Sequence, residues 1–164
     1  MNDLSYTAKV FKTVWVSDVH LGTKGSRAKE FLEFLKTIEC EKIFLVGDIV
    51  DGWQLSKRWY WPQTHNDVVQ KILEKAKRGT EIIFIPGNHD EVARDFIGLT
   101  MGGIKVKDDD IHYTADGKKF WVVHGDLFDN VIQHARWLAY IGDWAYVFLL
   151  KTNAVFNAIR RLFK

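Results

Sequence analysis

The sequence has 164 residues, of which 47% are hydrophobic and 27% charged, and its formal net charge is +2. This composition is typical of one globular domain with a hydrophobic core, and it excludes a disordered chain. The charge is too small to predict a nucleic-acid-binding surface, so no nucleic-acid partner is expected. The single cysteine, Cys40, cannot form an intramolecular disulfide. Because there is also no signal segment and no uncharged apolar run of about 18 residues, we expect a cytoplasmic protein.

The first half of the sequence alternates predicted strands and helices. Ser26 is a candidate N-cap for a helix whose apolar residues recur every three or four positions up to Ile38. A second helix begins at Thr64 and ends at Gly79 as its C-cap. The predicted strands of this half cover residues 10–17, 43–46 and 82–85. Strands that alternate with helices predict a layered α/β domain.

A hairpin and a helical segment follow. Residues 111–114 and 120–123 predict two strands joined by a turn at Asp116-Gly117. This hairpin indicates either a second sheet or an antiparallel edge of the first sheet. We therefore divide the chain into a core, residues 1–129, and a helical cap or interface segment, residues 130–164. Residues 154–164 have one apolar face and several cations, which favours either a helix at an anionic membrane surface or a cap helix covered by a partner. An exposed apolar tail also favours a homo-oligomer.

Four predicted strands are each followed at once by carboxylate, imidazole or amide side chains. The carboxyl ends of strands at one edge of an α/β sheet are where ligand sites form. We therefore expect these side chains to converge on one place. They are Asp18 and His20; Asp48 and Asp51; Asn88, His89 and Asp90; and His124 and Asp126.

The types of side chain in these clusters indicate a metal site. Asp18 and His20 are two residues apart, so in an extended chain both leave the same face and can bind one ion. Gly47 allows close approach of the backbone at Asp48, which suits a carboxylate that bridges two ions. Oxygen and nitrogen ligands together favour Mn, Fe or Zn over Ca or Mg. One Asp-x-His pair alone is more often a hydrogen-bonded loop, but the four clusters together favour metal binding.

These motifs resemble those of the calcineurin-like metallophosphoesterases. They are Asp18-x-His20, Gly47-Asp48-x-x-Asp51, Gly87-Asn88-His89-Asp90 and His124-Gly125-Asp126. More closely, residues 47–53, 59–63 and 142–146 resemble the bacterial UDP-2,3-diacylglucosamine pyrophosphatase-like branch. The resemblance implies a four-layer αββα sandwich, two divalent ions such as Mn, and hydrolysis of a phosphoester or pyrophosphate in lipid A precursor metabolism.

The resemblance also implies residue roles. One metal is held by Asp18, His20 and Asp48, and the other by Asp48, Asn88 and His124. Asp48 bridges the ions, while His89 assists the leaving oxygen. Three aspartates have two equally favoured roles, either to orient the metal ligands or to serve as turn or cap residues. They are Asp51, Asp90 and Asp126.

Two departures from the family pattern affect the expected function. No Gly-His-x-His motif follows His124, so we expect either a truncated chain or ions completed by water. The alternatives are another phosphodiesterase and a noncatalytic metal-binding fragment. His89 stands where the lipid A enzymes have arginine, which leaves the substrate open. The implied partner is a phosphate-containing small molecule, such as a lipid-linked nucleotide sugar, at the inner membrane surface.

The remaining histidines and a tryptophan-rich stretch are expected to have structural roles. No spacing joins these histidines to the metal set, so we place them at the surface or in packing. The aromatic residues either line the mouth of the site or pack their loop, and we favour packing. These side chains are His65, His112 and His134, and Trp53, Trp59, Tyr60 and Trp61.

Overall fold

The computed structural model of the chain describes residues 8–128. The strands are β1 (Lys9–Val16), β2 (Ile38–Val46), β3 (Glu81–Ile85), β4 (Thr100–Met101), β5 (Ile104–Val106), β6 (Asp110–Tyr113) and β7 (Lys119–Val122). The α-helices are α1 (Ala28–Thr37), α2 (Gly52–Lys57) and α3 (Gln63–Lys77), and a 3-10 helix spans Glu91–Phe96.

The strands form one large sheet and one hairpin. The large sheet has the order β1-β2-β3-β5-β4, in which β1, β2, β3 and β5 are parallel and β4 is antiparallel to β5. β6 and β7 pair separately as an antiparallel hairpin. Because α1 connects β1 to β2, and α2 and α3 connect β2 to β3, the carboxyl ends of these three strands lie at the same edge of the sheet.

The large sheet is buried on both faces at its centre. On one face, Ile43 and Ile82 pack with Leu35 of α1 and Val68 of α3. On the other face, a second cluster contains Val122 of the hairpin together with three residues of the sheet, Phe44, Ile83 and Ile85. Neighbours along β2 therefore point into different cores, which explains the continuous apolar run in this strand.

The predicted layered α/β architecture is confirmed. The described residues supply a helical layer, the large sheet and the hairpin. The prediction of a fourth, helical layer and that of a cap at residues 130–164 lie outside the described residues. The predicted strands, the helix from Thr64 and the hairpin with its turn at Asp116-Gly117 are all present, and most ends differ by a residue or two. The exception is β2, which begins at Ile38 rather than Ile43. The C-cap of α3 is Arg78 rather than Gly79.

The boundary between α1 and β2 differs from the prediction. Ile38 was expected on the helix, but it is the first residue of β2, which follows α1 without a loop. Ser26 does not cap α1; the N-cap residue is Arg27, and the Ser26 hydroxyl donates to the carbonyl of Val19 at 2.7 Å. Four short elements were not predicted: α2, the 3-10 helix, β4 and β5.

The chain divides into two compact units, Met1–Gly125 and Asp126–Lys164. All elements named above belong to the first unit. The predicted boundary at residues 129 and 130 stays a prediction. Within residues 8–128, none of the helices has the length and apolarity needed to cross a bilayer.

Candidate metal centre

The loops after β1 and β2 are joined by backbone hydrogen bonds at the sheet edge. The amides of Asp18, His20 and Leu21 donate to the carbonyls of Gly47, Asp48 and Ile49 at 3.2, 2.9 and 2.9 Å. This ladder continues the parallel pairing of the two strands past their ends. It fixes Asp18 and His20 beside Asp48.

Three predicted ligands have left-handed backbone conformations. The φ angles of Asp18, His20 and Asp48 are 56°, 50° and 56°. Such angles are uncommon outside glycine, although Asp and His adopt them more readily than most residues. Such conformations persist only where the surrounding structure stabilises them, and they concentrate at functional sites. Here the conformation brings these three side chains to the sheet edge.

The buried carboxylate of Asp48 is the centre of the cluster. Its Oδ2 lies 3.9 Å from Nε2 of His20 and 3.9 Å from Nε2 of His124. Its Oδ1 accepts a hydrogen bond from the backbone amide of His89 at 2.9 Å. A separation of 3.9 Å is too long for a hydrogen bond. It suits two atoms that bind one ion, since each bond is about 2.1 Å long and the atoms can be up to about 4.2 Å apart.

Two glycines make room for the His124 ring. A Cβ atom on Gly47 would lie 2.8 Å from Nε2 of His124 and closer still to its ring carbons. A Cβ atom on Gly87 would lie 2.8 Å from Cε1 of His124, and it would also clash with the Asp48 carboxylate. The imidazole therefore packs directly on the backbone of the loops that follow β2 and β3. The sequence analysis assigned a close backbone approach to Gly47 but not to Gly87, although both glycines directly precede a predicted ligand.

Asp51 lies between two imidazoles. Its Oδ2 is 3.3 Å from Nδ1 of His20 and 3.1 Å from Nδ1 of His89, while Oδ1 accepts from the amide of Gln54 at 2.8 Å. The His89 N–H is not well aligned with the carboxylate. Even so, Asp51 faces Nδ1 of both rings and leaves their Nε2 atoms available. Carboxylates in this position commonly orient histidines that bind metal.

The charge state of Asp51 follows from its surroundings. Burial raises the pKa of its carboxyl group, but the hydrogen bond from the Gln54 amide and the neighbouring His89 and His20 rings outweigh burial, and the pKa is lowered. Asp51 is therefore an anion at neutral pH. It is also the N-cap of α2, which is the cap role that the prediction allowed, while its role in orienting ligands stays a prediction.

Asp90 ties the loops after β2 and β3 together. Its buried carboxylate accepts hydrogen bonds from the amides of Gly87, Asp48 and Ile49 at 2.6, 3.2 and 2.8 Å. A carboxylate that accepts several backbone amides fixes the path of both loops. Asp90 therefore sets the position of Asp48 through its backbone.

The structure brings together the predicted side chains in two groups with the spacing of metal ligands. In each group the candidate ligand atoms all lie within 4.8 Å of one another. One group is Asp18, Asp48 and His124, and the other is His20, Asp51 and His89. The predicted partition had placed Asp18 and His20 on the same ion, whereas the spacing groups them separately. Asp48 belongs to only one of the two spacing groups, so the spacing alone does not make it a ligand of both ions. The assignment of ligands to ions stays a prediction.

Two further predicted site residues are Asn88 and Asp126. Asn88 is half-buried in the loop after β3, between Gly87 and His89. Asp126 belongs to the second compact unit. Their roles stay predictions.

Of the residues expected to be structural, two pack as expected and one lies at the site. His65 is buried, and its Nδ1 accepts a hydrogen bond from the amide of Gly22 at 3.0 Å. His112 packs edge-on against Trp15 with ring centroids 4.9 Å apart. The Trp53 ring lies 4.6 Å from that of His89, so Trp53 borders the site as well as its loop. His134 lies outside the described residues.

The residues present fit divalent ions. Carboxylate oxygens and imidazole nitrogens converge around Asp48, and the Nε2 atoms of two histidines face the same oxygen at a distance that an ion can span. This donor set suits Mn, Fe or Zn.

The large sheet of this protein is covered by helices on one face and by a hairpin on the other. Acidic and imidazole side chains lie at its carboxyl edge. These features are those of the metallophosphoesterase class of fold. The family described as Calcineurin-like phosphoesterase matches residues 11–154. The chain therefore belongs to the calcineurin-like phosphoesterase family.

Curated relatives share a single description. Two proteins named UDP-2,3-diacylglucosamine hydrolase, from Blochmanniella pennsylvanica and Azotobacter vinelandii, are each 26% identical to this chain. The alignments cover 75% and 85% of this chain and 51% and 58% of the relatives. The chain thus spans about half the length of the curated relatives it matches. A crystal structure of Pseudomonas putida nuclease MPE aligns with 22% identity and a TM-score of 0.36, over 58% of this chain and 46% of that one.

Proposed function

We propose that this chain binds two divalent metal ions on either side of Asp48 and hydrolyses a phosphoester or pyrophosphate bond. The observation that carries the proposal is the position of Asp48 Oδ2, 3.9 Å from Nε2 of both His20 and His124. One carboxylate oxygen that faces two imidazoles from different loops is the arrangement expected of a bridging ligand. Membership of the phosphoesterase family supports this reaction class.

When bound, two divalent ions would supply charge stabilisation for the phosphoryl group and a water of lowered pKa. The side chains of the protein would position the ions, the phosphoryl group and the water. Asp90 holds the Asp48 loop through backbone hydrogen bonds. His89 has its Nδ1 beside Asp51 and its Nε2 available, which suits a proton donor to the leaving oxygen. General acid catalysis of this kind contributes about 10²- to 10⁴-fold in rate.

We propose manganese as the metal, with Fe and Zn as the alternatives, because all three accept the mixture of carboxylate oxygens and imidazole nitrogens present here. The test is titration of the purified chain with Mn²⁺, followed by hydrolysis of bis(p-nitrophenyl) phosphate. We expect two ions per chain and turnover, both lost in Asp48→Asn. The control is Asp95→Asn, which changes an exposed aspartate of the 3-10 helix. Binding without turnover would indicate a noncatalytic metal module, and unchanged binding and turnover in Asp48→Asn would refute the proposal.

For the substrate we propose a nucleotide sugar with a pyrophosphate link, because the curated relatives are named for UDP-2,3-diacylglucosamine. The proposed setting is lipid A precursor metabolism on the cytoplasmic side of the inner membrane. The test compares UDP-2,3-diacylglucosamine with UDP-N-acetylglucosamine by chromatography of the released UMP. Preference for the acylated compound would support this assignment, and equal or absent cleavage of both would contradict it.

We also propose that residues 154–164 attach the protein to anionic membranes, because their sequence combines an apolar face with Arg160, Arg161 and Lys164. Co-sedimentation with vesicles of phosphatidylglycerol should be lost when these residues are deleted, and unchanged binding would reject the idea. We propose that the same tail drives self-association, and sedimentation velocity of both forms tests this.

A further inference from the structure

Trp53 lies against the imidazole of His89. Trp53 is in the first turn of α2, two residues after Asp51. Its ring centroid is 4.6 Å from that of His89, with 40° between the ring planes. Its indole N–H donates to Oε1 of Glu91 at 3.4 Å, a long hydrogen bond to the start of the 3-10 helix. The Trp53 side chain thus spans the loops after β2 and β3.

The other contacts of His89 fix its backbone and one ring nitrogen. The His89 amide donates to Asp48 and its carbonyl accepts from the amide of Gly52, both at 2.9 Å. Nδ1 is 3.1 Å from Asp51. The ring of His20 meets the His89 ring edge-on, with centroids 4.8 Å apart and planes at 88°. The ring moves by rotation about two side-chain bonds, and one contact at Nδ1 does not fix both torsions. The aromatic contacts therefore contribute to the direction in which Nε2 points.

We propose that Trp53 is a positioning residue for His89, whose indole holds the imidazole so that Nε2 faces the leaving oxygen. The inference rests on the proposed function, in which His89 is the proton donor. A catalytic group must be held to within about 0.5 Å of its productive position. A misplacement of about 1 Å costs on the order of 10²-fold in rate. The stack with Trp53 restricts the ring motion that would produce such a misplacement.

The rival role for Trp53 is direct contact with substrate. Its side chain is exposed, so the indole face is accessible. The two roles predict different kinetics. A positioning residue acts on kcat and only through His89, whereas a substrate contact acts on KM whether or not His89 is present.

The experiment compares Trp53→Ala and Trp53→Phe in the Mn-loaded chain with two phosphodiesters. One has a p-nitrophenol leaving group, which needs little protonation, and the other an alkyl alcohol, which needs much. We expect Trp53→Ala to lower kcat about 10-fold for the alkyl ester and much less for the nitrophenyl ester. Trp53→Phe should restore most of the loss, because it keeps an aromatic face. The matched control is Trp59→Ala, which removes another exposed tryptophan.

Combining Trp53→Ala with His89→Ala completes the test. The double variant should be no slower than His89→Ala alone, because Trp53 acts through His89. Additive losses, or a change in KM with equal effects on both leaving groups, would overturn the proposal in favour of substrate contact.

A structural readout separates this inference from the proposed function. In protein with ¹³C-labelled histidine, nuclear Overhauser effects between the His89 and His20 rings report the position of His89 without any turnover. We expect them to be lost in Trp53→Ala and kept in Trp53→Phe and Trp59→Ala. If the wild-type chain does not hydrolyse phosphodiesters, the proposed function fails, while loss of these signals still supports the positioning role. Unchanged signals in Trp53→Ala would overturn it.

Discussion

The His124 ring fits among its neighbours because two of the adjacent positions are glycines. Gly47 and Gly87 have no side chain, and the imidazole occupies the space that a Cβ atom would need. The spacing of polar clusters predicted that Asp48 and His124 would converge, because it depends only on where the strands end. The sequence contains no direct signal for the left-handed φ of Asp18, His20 and Asp48, since the hydrogen bonds that stabilise these conformations come from distant parts of the chain.

The first prediction concerns Gly87→Ala. The added methyl group would clash with His124 and Asp48, so one or both must move. We expect Mn²⁺ affinity to fall about 10- to 100-fold, the range found when groups that orient ligands are disturbed. Isothermal titration calorimetry measures the change. Gly25→Ala is the control, because nothing lies within 4 Å of its Cβ position. Equal affinities in both variants would show that His124 is not a ligand.

The second prediction uses the buried His65, which accepts the Gly22 amide and so holds the loop after β1. Burial lowers the pKa of His65 below 6.5. A histidine whose folded pKa is lowered stabilises the fold fully above its unfolded pKa, and that stabilisation is lost as the pH falls below it. Between pH 7.5 and 5.5 the free energy of unfolding should therefore fall more for wild type than for His65→Gln, which does not titrate. Urea denaturation at the two pH values tests this, and equal losses would contradict it.

At the scale of elements, helix periodicity identified α1 and α3, and the apolar runs identified β1, β2 and β3. Prediction failed where an element was too short to show a period. α2 and the 3-10 helix have six residues each, and β4 and β5 have two and three. It also failed at Ile38, because an apolar residue at the end of a helix face and one at the start of a buried strand look alike in sequence.

The junction between α1 and β2 leads to a third prediction. The buried ammonium group of Lys75, on α3, donates to the carbonyl of Ile38 at 2.6 Å. This bond joins α3 to the junction of α1 and β2 and pairs a buried cation with a backbone carbonyl. Lys75→Met should lower the free energy of unfolding by about 1.5–3 kcal/mol, the range for hydrogen bonds to charged groups. Lys77→Met, an exposed change in the same last turn, should change it by less than about 0.5 kcal/mol.

Chemical denaturation of both variants provides the comparison. A loss in Lys75→Met no larger than in Lys77→Met would show that the buried bond contributes nothing net, because its desolvation cost offsets its gain.

At the scale of the whole molecule, the parallel sheet explains how residues distant in sequence form one centre. Asp18, Asp48 and His89 follow three strands that are neighbours in the sheet, and the hairpin brings His124 to the same edge. The convergence of the strand ends was predicted from the order of strands and helices, but the strand order and the separate hairpin were not. The partition of ligands between two ions was not predictable, because it depends on side-chain directions that strand order leaves undetermined.

The most direct test of the account is anomalous diffraction at the Mn edge from crystals soaked in Mn²⁺. The account predicts two anomalous peaks, one on each side of the Asp48 carboxylate and both within about 2.3 Å of its oxygens, with His20 and His124 at different ions. A single peak, or peaks that do not involve Asp48, would contradict a bridged two-metal centre.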